Sequence, residues 1–436
     1  MKLTENILHL LNIRKNEGWL VKHLFFLQFF QGAGVALFFT AANAIFLQRF
    51  PIEELPKVYL MAAVLLWFTG FLYSKLEHHL TVKTLIATVI LLMATSVLVF
   101  RITISFCQND MFLYLMLAWF YVLYLLGNLE FWGLSALLFD IRQSKRLFGI
   151  ISAGDIPAKL IGYLSASLIV PYTGSANMLF IAMGSILMSL FFWNTLAKAG
   201  KLDLHIDHHA PAENDFSNPG LFKLVKDFFG SKLILAVAFL SFMVVTAATL
   251  INFSFYAEVK EKVHGDEQLA AFIGLFLASG RVVAIFLKLI LTGKLAEAIG
   301  IKGSLLITPI ALLFFSLAVI FSPMIMHNPT AILYTFGLMA ILSETLKTSL
   351  QDPVFIAVMQ PLRSSLRLKG HTIVKGVMDP FAMAFCGGLI LLVLKFSGYT
   401  DLRVLTYILL VIIIVWIGWV FLVDKSYLES DRKSVV

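Results

Sequence analysis

Three kinds of residue could do chemistry in this otherwise apolar chain: isolated carboxyl groups, isolated cations, and amides at helical spacing. Glu130 stands in one long apolar run, followed by Phe131-Trp132-Gly133, and Lys159 stands in the next. Between them lies a compact basic stretch, Asp140-Ile141-Arg142-Gln143-Ser144-Lys145-Arg146. The plan recurs late in the chain. Glu344 and Lys347 sit in an apolar run closed by Asp352-Pro353, basic residues follow (Arg363, Arg367, Lys369), and Lys375 and Asp379-Pro380 open the next run. In hydrocarbon an ionisable side chain costs roughly 2.5–3.5 kcal/mol on insertion scales, so it faces a cavity or a partner. The chemistry this implies is reversible binding of a charged solute or a proton inside a membrane.

The elements that must hold these groups follow from composition. The chain has 436 residues, of which 59% are hydrophobic and only 14% charged, where an ordinary soluble protein has about 25% charged. Its mean hydropathy is +0.88. These values exclude a soluble class. The formal charge of +8 reads as loop Lys and Arg that set topology, with no nucleic-acid partner implied. Cys107 and Cys386 are far apart and offer neither a disulfide framework nor metal-ligand spacing. There is no phosphate-binding Gly-x-x-x-x-Gly-Lys-Ser/Thr loop, no His-Glu-x-x-His and no Gly-x-Ser-x-Gly. An enzyme, a cofactor and a metal centre are therefore not expected.

Apolar windows of about 20 residues suffice to span a bilayer. Twelve are read here: 20–48, 56–76, 82–105, 111–137, 149–171, 176–197, 232–257, 268–292, 303–323, 330–351, 373–396 and 401–423. The N-terminal stretch lacks the short apolar core and small-residue site of a signal peptide, and Ile7, Leu8, Leu10 and Leu11 predict a short surface helix there. The longest polar stretch, 198–231, falls after the sixth span as a linker between halves 1–197 and 232–436. Its His205, His208 and His209 read as solvated linker residues, and Leu221, Leu224, Val225 and Phe228 against Lys223 and Lys226 predict an amphipathic helix.

Gly293-Lys294-Leu295-Ala296-Glu297-Ala298-Ile299-Gly300-Ile301-Lys302-Gly303, after the eighth span, resembles the signature loop of the major facilitator superfamily, with Glu297 in the acid's place. After the second span Gly70 and Leu72 are present and Ser74 replaces the acid. The fold this implies is an all-α membrane protein of twelve transmembrane helices in two pseudo-symmetric six-helix bundles. Within the superfamily, Phe131-Trp132, Phe139-Asp140, Arg142-Gln143, Lys145-Arg146-Leu147-Phe148-Gly149 and Ser152-Ala153-Gly154 resemble the ATP/ADP translocase-like nucleotide transporters of bacteria and plastids. The first span carries Gln28, Gln31 and Asn43 where plastid-type members carry basic residues.

The resemblance implies that helices 1, 4, 7 and 10 line a central cavity. The candidate solute-binding residues are then Gln28, Gln31, Asn128, Glu130, Lys159, Asn252, Arg281, Glu344 and Lys347. Candidate coupling or gating residues are Glu130, Asp140, Arg142, Arg146, Asp155, Glu297 and Asp379. Two alternatives stay open. Glu344 can neutralise Lys347 at i,i+3, and Asp155 either caps the fifth helix or pairs with Lys159 at i,i+4. The expected function is secondary transport by alternating access of an anionic or zwitterionic solute, with nucleotides or phosphorylated metabolites leading. The alternatives are a proton-coupled carrier of another small polar solute or lipid-like amphiphile, and a non-transporting sensor on a transporter fold. The expected partners are the solute, the lipid bilayer and a coupling ion or counter-solute, in a bacterial inner membrane.

Lys and Arg in the loops and at the span ends number 21 on the side of the termini against 6 opposite, which predicts cytoplasmic termini and a cytoplasmic linker. A single cysteine in place of His208 should resist membrane-impermeant maleimide added outside intact cells and react after permeabilisation. Reaction from outside would reverse the topology.

Overall fold

The computed structural model describes residues 17–106, 109–138, 154–198, 232–291, 294–321, 328–359, 374–397 and 401–435. The N-terminal surface stretch, the basic stretch holding Asp140, Arg142 and Arg146, the linker with its histidines and amphipathic segment, and the second basic loop lie outside the described residues.

Hydrocarbon offers backbone amides and carbonyls no water, so a spanning chain must satisfy them within itself, and the apolar windows become helices. Twelve helices of 18 residues or more follow one another among the described residues. They are α1 (Gly18–Arg49), α2 (Leu55–His79), α3 (Val82–Phe106), α4 (Asp110–Leu138), α5 (Asp155–Thr173), α6 (Met178–Lys198), α7 (Lys232–Lys262), α8 (Asp266–Leu291), α9 (Lys294–Phe321), α10 (Pro329–Leu346), α11 (Asp379–Ser397) and α12 (Leu402–Val435). A single 3-10 turn, Ile52–Glu54, joins α1 to α2. Ten of the twelve are long and apolar enough to cross a membrane, and α5 and α10 are the exceptions. Asp155 and Lys159 dilute the apolar run of α5. The tenth apolar window, read as one span, is divided: α10 ends at Leu346 and continues as a π-helical segment, Lys347–Gln351, and a short helix, Asp352–Val358. A second π-helical segment, Val374–Met378, leads into α11.

The loop expected after the eighth span is largely helical. α9 begins at Lys294 and breaks at Gly300, whose φ of 71° is open only to glycine at low cost. The side chain of Glu297 lies outside the described residues.

The chain forms two compact units. The first holds Met1–Phe46, Phe68–Phe216 and Gly265–Ala278. Helices in lipid gain little from burying apolar surface, so they associate through small residues that let backbones meet. A Cβ on Gly34 of α1 would stand 2.7 Å from Ile186 Cγ1 and 2.8 Å from the Ala182 carbonyl of α6. On α5, Gly162 would place one 2.9 Å from the Ala33 carbonyl and 2.9 Å from Ala36 Cβ of α1. The Ser185 hydroxyl closes the α1–α6 contact by donating to the Phe30 carbonyl at 2.7 Å. Phe192 of α6 stacks on Phe26 and Phe30 with ring centres 5.2 and 5.5 Å away. The first half of α8 joins this unit through Gly274, where a Cβ would meet the Tyr163 carbonyl at 2.8 Å.

The second unit holds Leu47–Trp67, Ser217–His264 and Ser279–Val436. Its axis is α7, buried along most of its length. Trp419 of α12 donates its indole N–H to the Ala236 carbonyl of α7 at 2.8 Å. The first half of α2 belongs here: Gly387 of α11 lets that helix approach the Pro56 carbonyl, where a Cβ would stand 2.8 Å away. Each sequence half thus lends half a helix to the other half's unit.

Replacing Gly162 by Val drives a branched side chain into α1 and should lower stability by about 1–3 kcal/mol, read as a reduced melting temperature of the purified protein. Gly70, with open space around it, should tolerate the same change. Equal melting temperatures for the two variants would show that the α1–α5 approach is not tight.

Candidate functional site

In the first unit, α1, α4 and α5 bring the polar groups together. Glu130 of α4 is 1% exposed, and Gln31 Nε2 of α1 donates to both of its carboxyl oxygens, each at 3.1 Å. No cation pairs with Glu130 among the described residues. Gln31 Oε1 and Gln28 Oε1 are buried without a partner among those residues. Helical spacing puts Gln28 and Gln31 on one face of α1, so the orphaned amide oxygens share it.

Lys159 is buried on α5, with its ammonium 2.8 Å from Asp155 Oδ2 and 4.7 Å from the centre of the Tyr124 ring. Gly32 makes room for the pair: a Cβ there would lie 3.2 Å from Asp155 Oδ1. This resolves the choice left open for Asp155. The residue before α5 is Gly154, which offers no capping side chain, and Asp155 lies in the first turn with its carboxylate on Lys159. The cap is therefore absent and the ion pair is present. Asn128 is taken locally, donating to the Tyr124 carbonyl of its own helix at 2.8 Å.

In the second unit Arg281 of α8 is 8% exposed and donates to Glu344 Oε1 of α10 at 3.3 Å. Gly280, where a Cβ would sit 3.3 Å from Ile341 Cγ1, brings the helices close enough for this. The pairing of Glu344 with Lys347 at i,i+3 is thus overturned: the carboxylate reaches across to α8. Lys347 opens the π-helical segment half-buried, with no carboxylate partner among the described residues. On the same segment Ser349 Oγ and both amide atoms of Gln351 are buried without partners among the described residues. π-helical insertions occur often at functional sites, and this one carries a cation and three orphaned polar atoms. Asn252 on α7 is half-buried and also without a hydrogen-bond partner among the described residues. Thr246 and Thr249, on the same helix, bond back to Phe242 and Val245 carbonyls.

Lys375 bridges two carboxylates. Its ammonium lies 3.1 Å from Asp352 Oδ1 and 3.5 Å from Asp379 Oδ2, and Ser241 of α7 donates to Asp379 Oδ1 at 2.6 Å. The i,i+4 spacing of Lys375 and Asp379 was a readable signal; Ser241 left none.

No protein-family model and no curated protein sequence matches the chain. Solved structures do. The nucleoside transporter NupG superposes with a TM-score of 0.60 at 14% identity, covering 94% of this chain and 99% of its own. A bacterial homolog of the human lysosomal transporter Spinster, inward-facing and unoccupied, superposes with a TM-score of 0.61 at 12% identity, covering 96% and 98%. The fold is that of the major facilitator transporters. The chain is an integral membrane protein on that scaffold.

Replacing Lys159 by Met strips Asp155 of its cation and should lower the melting temperature. The double change with Asp155→Asn should recover part of the loss, with a coupling on the order of 1 kcal/mol. Strictly additive effects in the melting series would dissolve the pair.

Proposed function

We propose that this chain is a secondary active transporter working by alternating access on a small anionic or zwitterionic solute, with Glu130 carrying a coupling proton. The observation behind the reading is the Glu130–Gln31 contact: a buried carboxyl group held by one neutral amide, with no cation beside it among the described residues. A charge left in that setting is expensive, so the group needs a proton or a cation from outside the helices. Lys159 cannot serve as that cation, because Asp155 holds it. Lys347 poses the mirror problem, a half-buried cation without an acid among the described residues, and suits an anionic group on the solute.

Among anionic solutes, nucleotides and phosphorylated metabolites lead. The stretch from Phe131 to Gly154 resembles ATP/ADP translocase-like carriers, and one structural neighbour is a nucleoside transporter. The neutral amides of α1 favour a solute whose phosphate is met from elsewhere, with Lys347 as the cation on offer and Arg281, held by Glu344, close behind it on the neighbouring helix α8. In this reading Arg142 and Arg146, beside Asp140, bias one access state and do not touch the solute. Asp155, Asp379 and Glu297 belong to the same gating set. The two halves act as six-helix bundles joined by the 198–231 linker, with both termini in the cytoplasm of a bacterial inner membrane.

Reconstituted vesicles, compared with empty ones, test this with radiolabelled nucleotides, nucleosides, amino acids and sugars. Uptake of none of these would favour a sensor over a carrier. For the transported solute, Glu130→Gln should abolish accumulation driven by a pH gradient and leave solute exchange intact. Loss of both activities would make Glu130 a structural group, and retention of both would remove it from the mechanism.

A further inference from the structure

Arg101 stands on α3 five residues before the helix ends at Phe106, about 7.5 Å from that end. Its Nη1 donates to Ser105 Oγ, one turn along, at 2.7 Å, and its Nη2 donates to Asn177 Oδ1 at 2.6 Å. Asn177 lies in the connection between α5 and α6. Its amide is oriented from both sides, because Nδ2 donates to the carbonyl of Thr173, the last residue of α5, at 2.8 Å. The guanidinium carbon rests 4.8 Å from the centre of the Phe180 ring, in the first turn of α6. All of these residues belong to the first unit.

This clamp orients the cation without neutralising it. Both oxygens are uncharged, and no carboxylate pairs with Arg101 among the described residues. Lys159, Arg281 and Lys375 each have an acid. Holding a long cation in one geometry costs side-chain entropy, which a residue that only reaches for water has no reason to give up. A guanidinium carries five N–H donors. Ser105 and Asn177 take one each, and Nε is buried without a partner among the described residues. One N–H remains on each of Nη1 and Nη2, a fork suited to the oxygens of a phosphate.

The surroundings name the source of that anion. Phe106, Tyr172 and Phe180, at the same ends of α3, α5 and α6, are 84%, 89% and 44% exposed. α3 and α6 are long and apolar enough to cross a membrane. Aromatic rings exposed at the ends of such helices sit at headgroup level, where water gives way to acyl chains. We propose that Arg101, held by Ser105 and Asn177, binds the phosphate of an anionic phospholipid in the leaflet that meets this end of α3. None of the groups assigned to the solute takes part, so the site stands whatever the protein carries.

Native mass spectrometry of the purified full-length protein, titrated in neutral detergent with dioleoyl phosphatidylglycerol, reads the dissociation constant of the first bound lipid. Dioleoyl phosphatidylcholine carries the same phosphate with its charge cancelled by choline and should bind about fivefold more weakly or worse. Arg101→Gln should weaken phosphatidylglycerol binding about tenfold. Ser105 is exposed, and Ser105→Asp puts the missing acid on Arg101 at i,i+4 with the cation still present. It should weaken binding to the same degree. Lys395→Gln removes an exposed cation from the last turn of α11, in the second unit, and should leave the constant unchanged. An unchanged constant in Arg101→Gln or in Ser105→Asp would overturn the site, as would equal affinity of the unaltered protein for the two lipids. An equal loss in Lys395→Gln would replace it by attraction to net charge. Displacement of phosphatidylglycerol by inorganic phosphate would overturn the lipid source in favour of a soluble anion. If Arg101→Gln does not fold, Ser105→Asp decides alone.

Discussion

A charged or polar group inside hydrocarbon has no water to fall back on, and that constraint governs this molecule. It makes every regular element among the described residues a helix. It also explains the pairing of interior ions: Lys159 with Asp155, Arg281 with Glu344, and Lys375 with Asp352 and Asp379. Against that background the groups left unmatched stand out. Among the described residues Glu130 has only a neutral amide, Lys347 has no acid, and Gln351 has no partner for either amide atom. A protein selected for stability alone would fill these positions with apolar residues, since replacing buried ions by well-packed hydrophobes is often neutral or favourable.

Packing puts the matched and unmatched groups where they can work. Gly34 and Gly162 let α6 and α5 close on α1, and the α5 approach places Asp155 against Gly32. Gly280 plays the same part between α8 and α10 for Arg281 and Glu344. In each case a missing side chain shortens the distance between helices until a short polar contact becomes possible. Adding a Cβ would move the helices apart by more than such a contact tolerates.

The departures from regular helix fall near the charges. The π-helical segment Lys347–Gln351 begins three residues after Glu344, and Val374–Met378 contains Lys375 and precedes Asp379. Each inserts one residue per turn and so changes which side chains share a face beyond it. Lys375 joins the two irregular regions by reaching Asp352, the first residue after the earlier segment. Local geometry and local charge are therefore coupled in the second unit, while in the first the described helices stay regular around Glu130 and Lys159.

Sequence alone settled what depends on composition and period: a membrane class, helices in place of the apolar windows, and the singling out of Glu130, Lys159, Arg281, Glu344 and Lys347 as groups too costly to be incidental. Those follow from transfer energies, which belong to residue types and need no partner. The choice of partner was different. Glu344 has Lys347 one turn along its own helix yet bonds Arg281, and Asp155 stands where a cap would be yet bonds Lys159. Ser241 and Lys260 gave no comparable sign of what they hold, Asp379 and the end of α1. Partner choice is a matter of distances between helices. Those distances are set by which small residues face each other across an interface, a relation between segments far apart in the chain that only the tertiary structure decides.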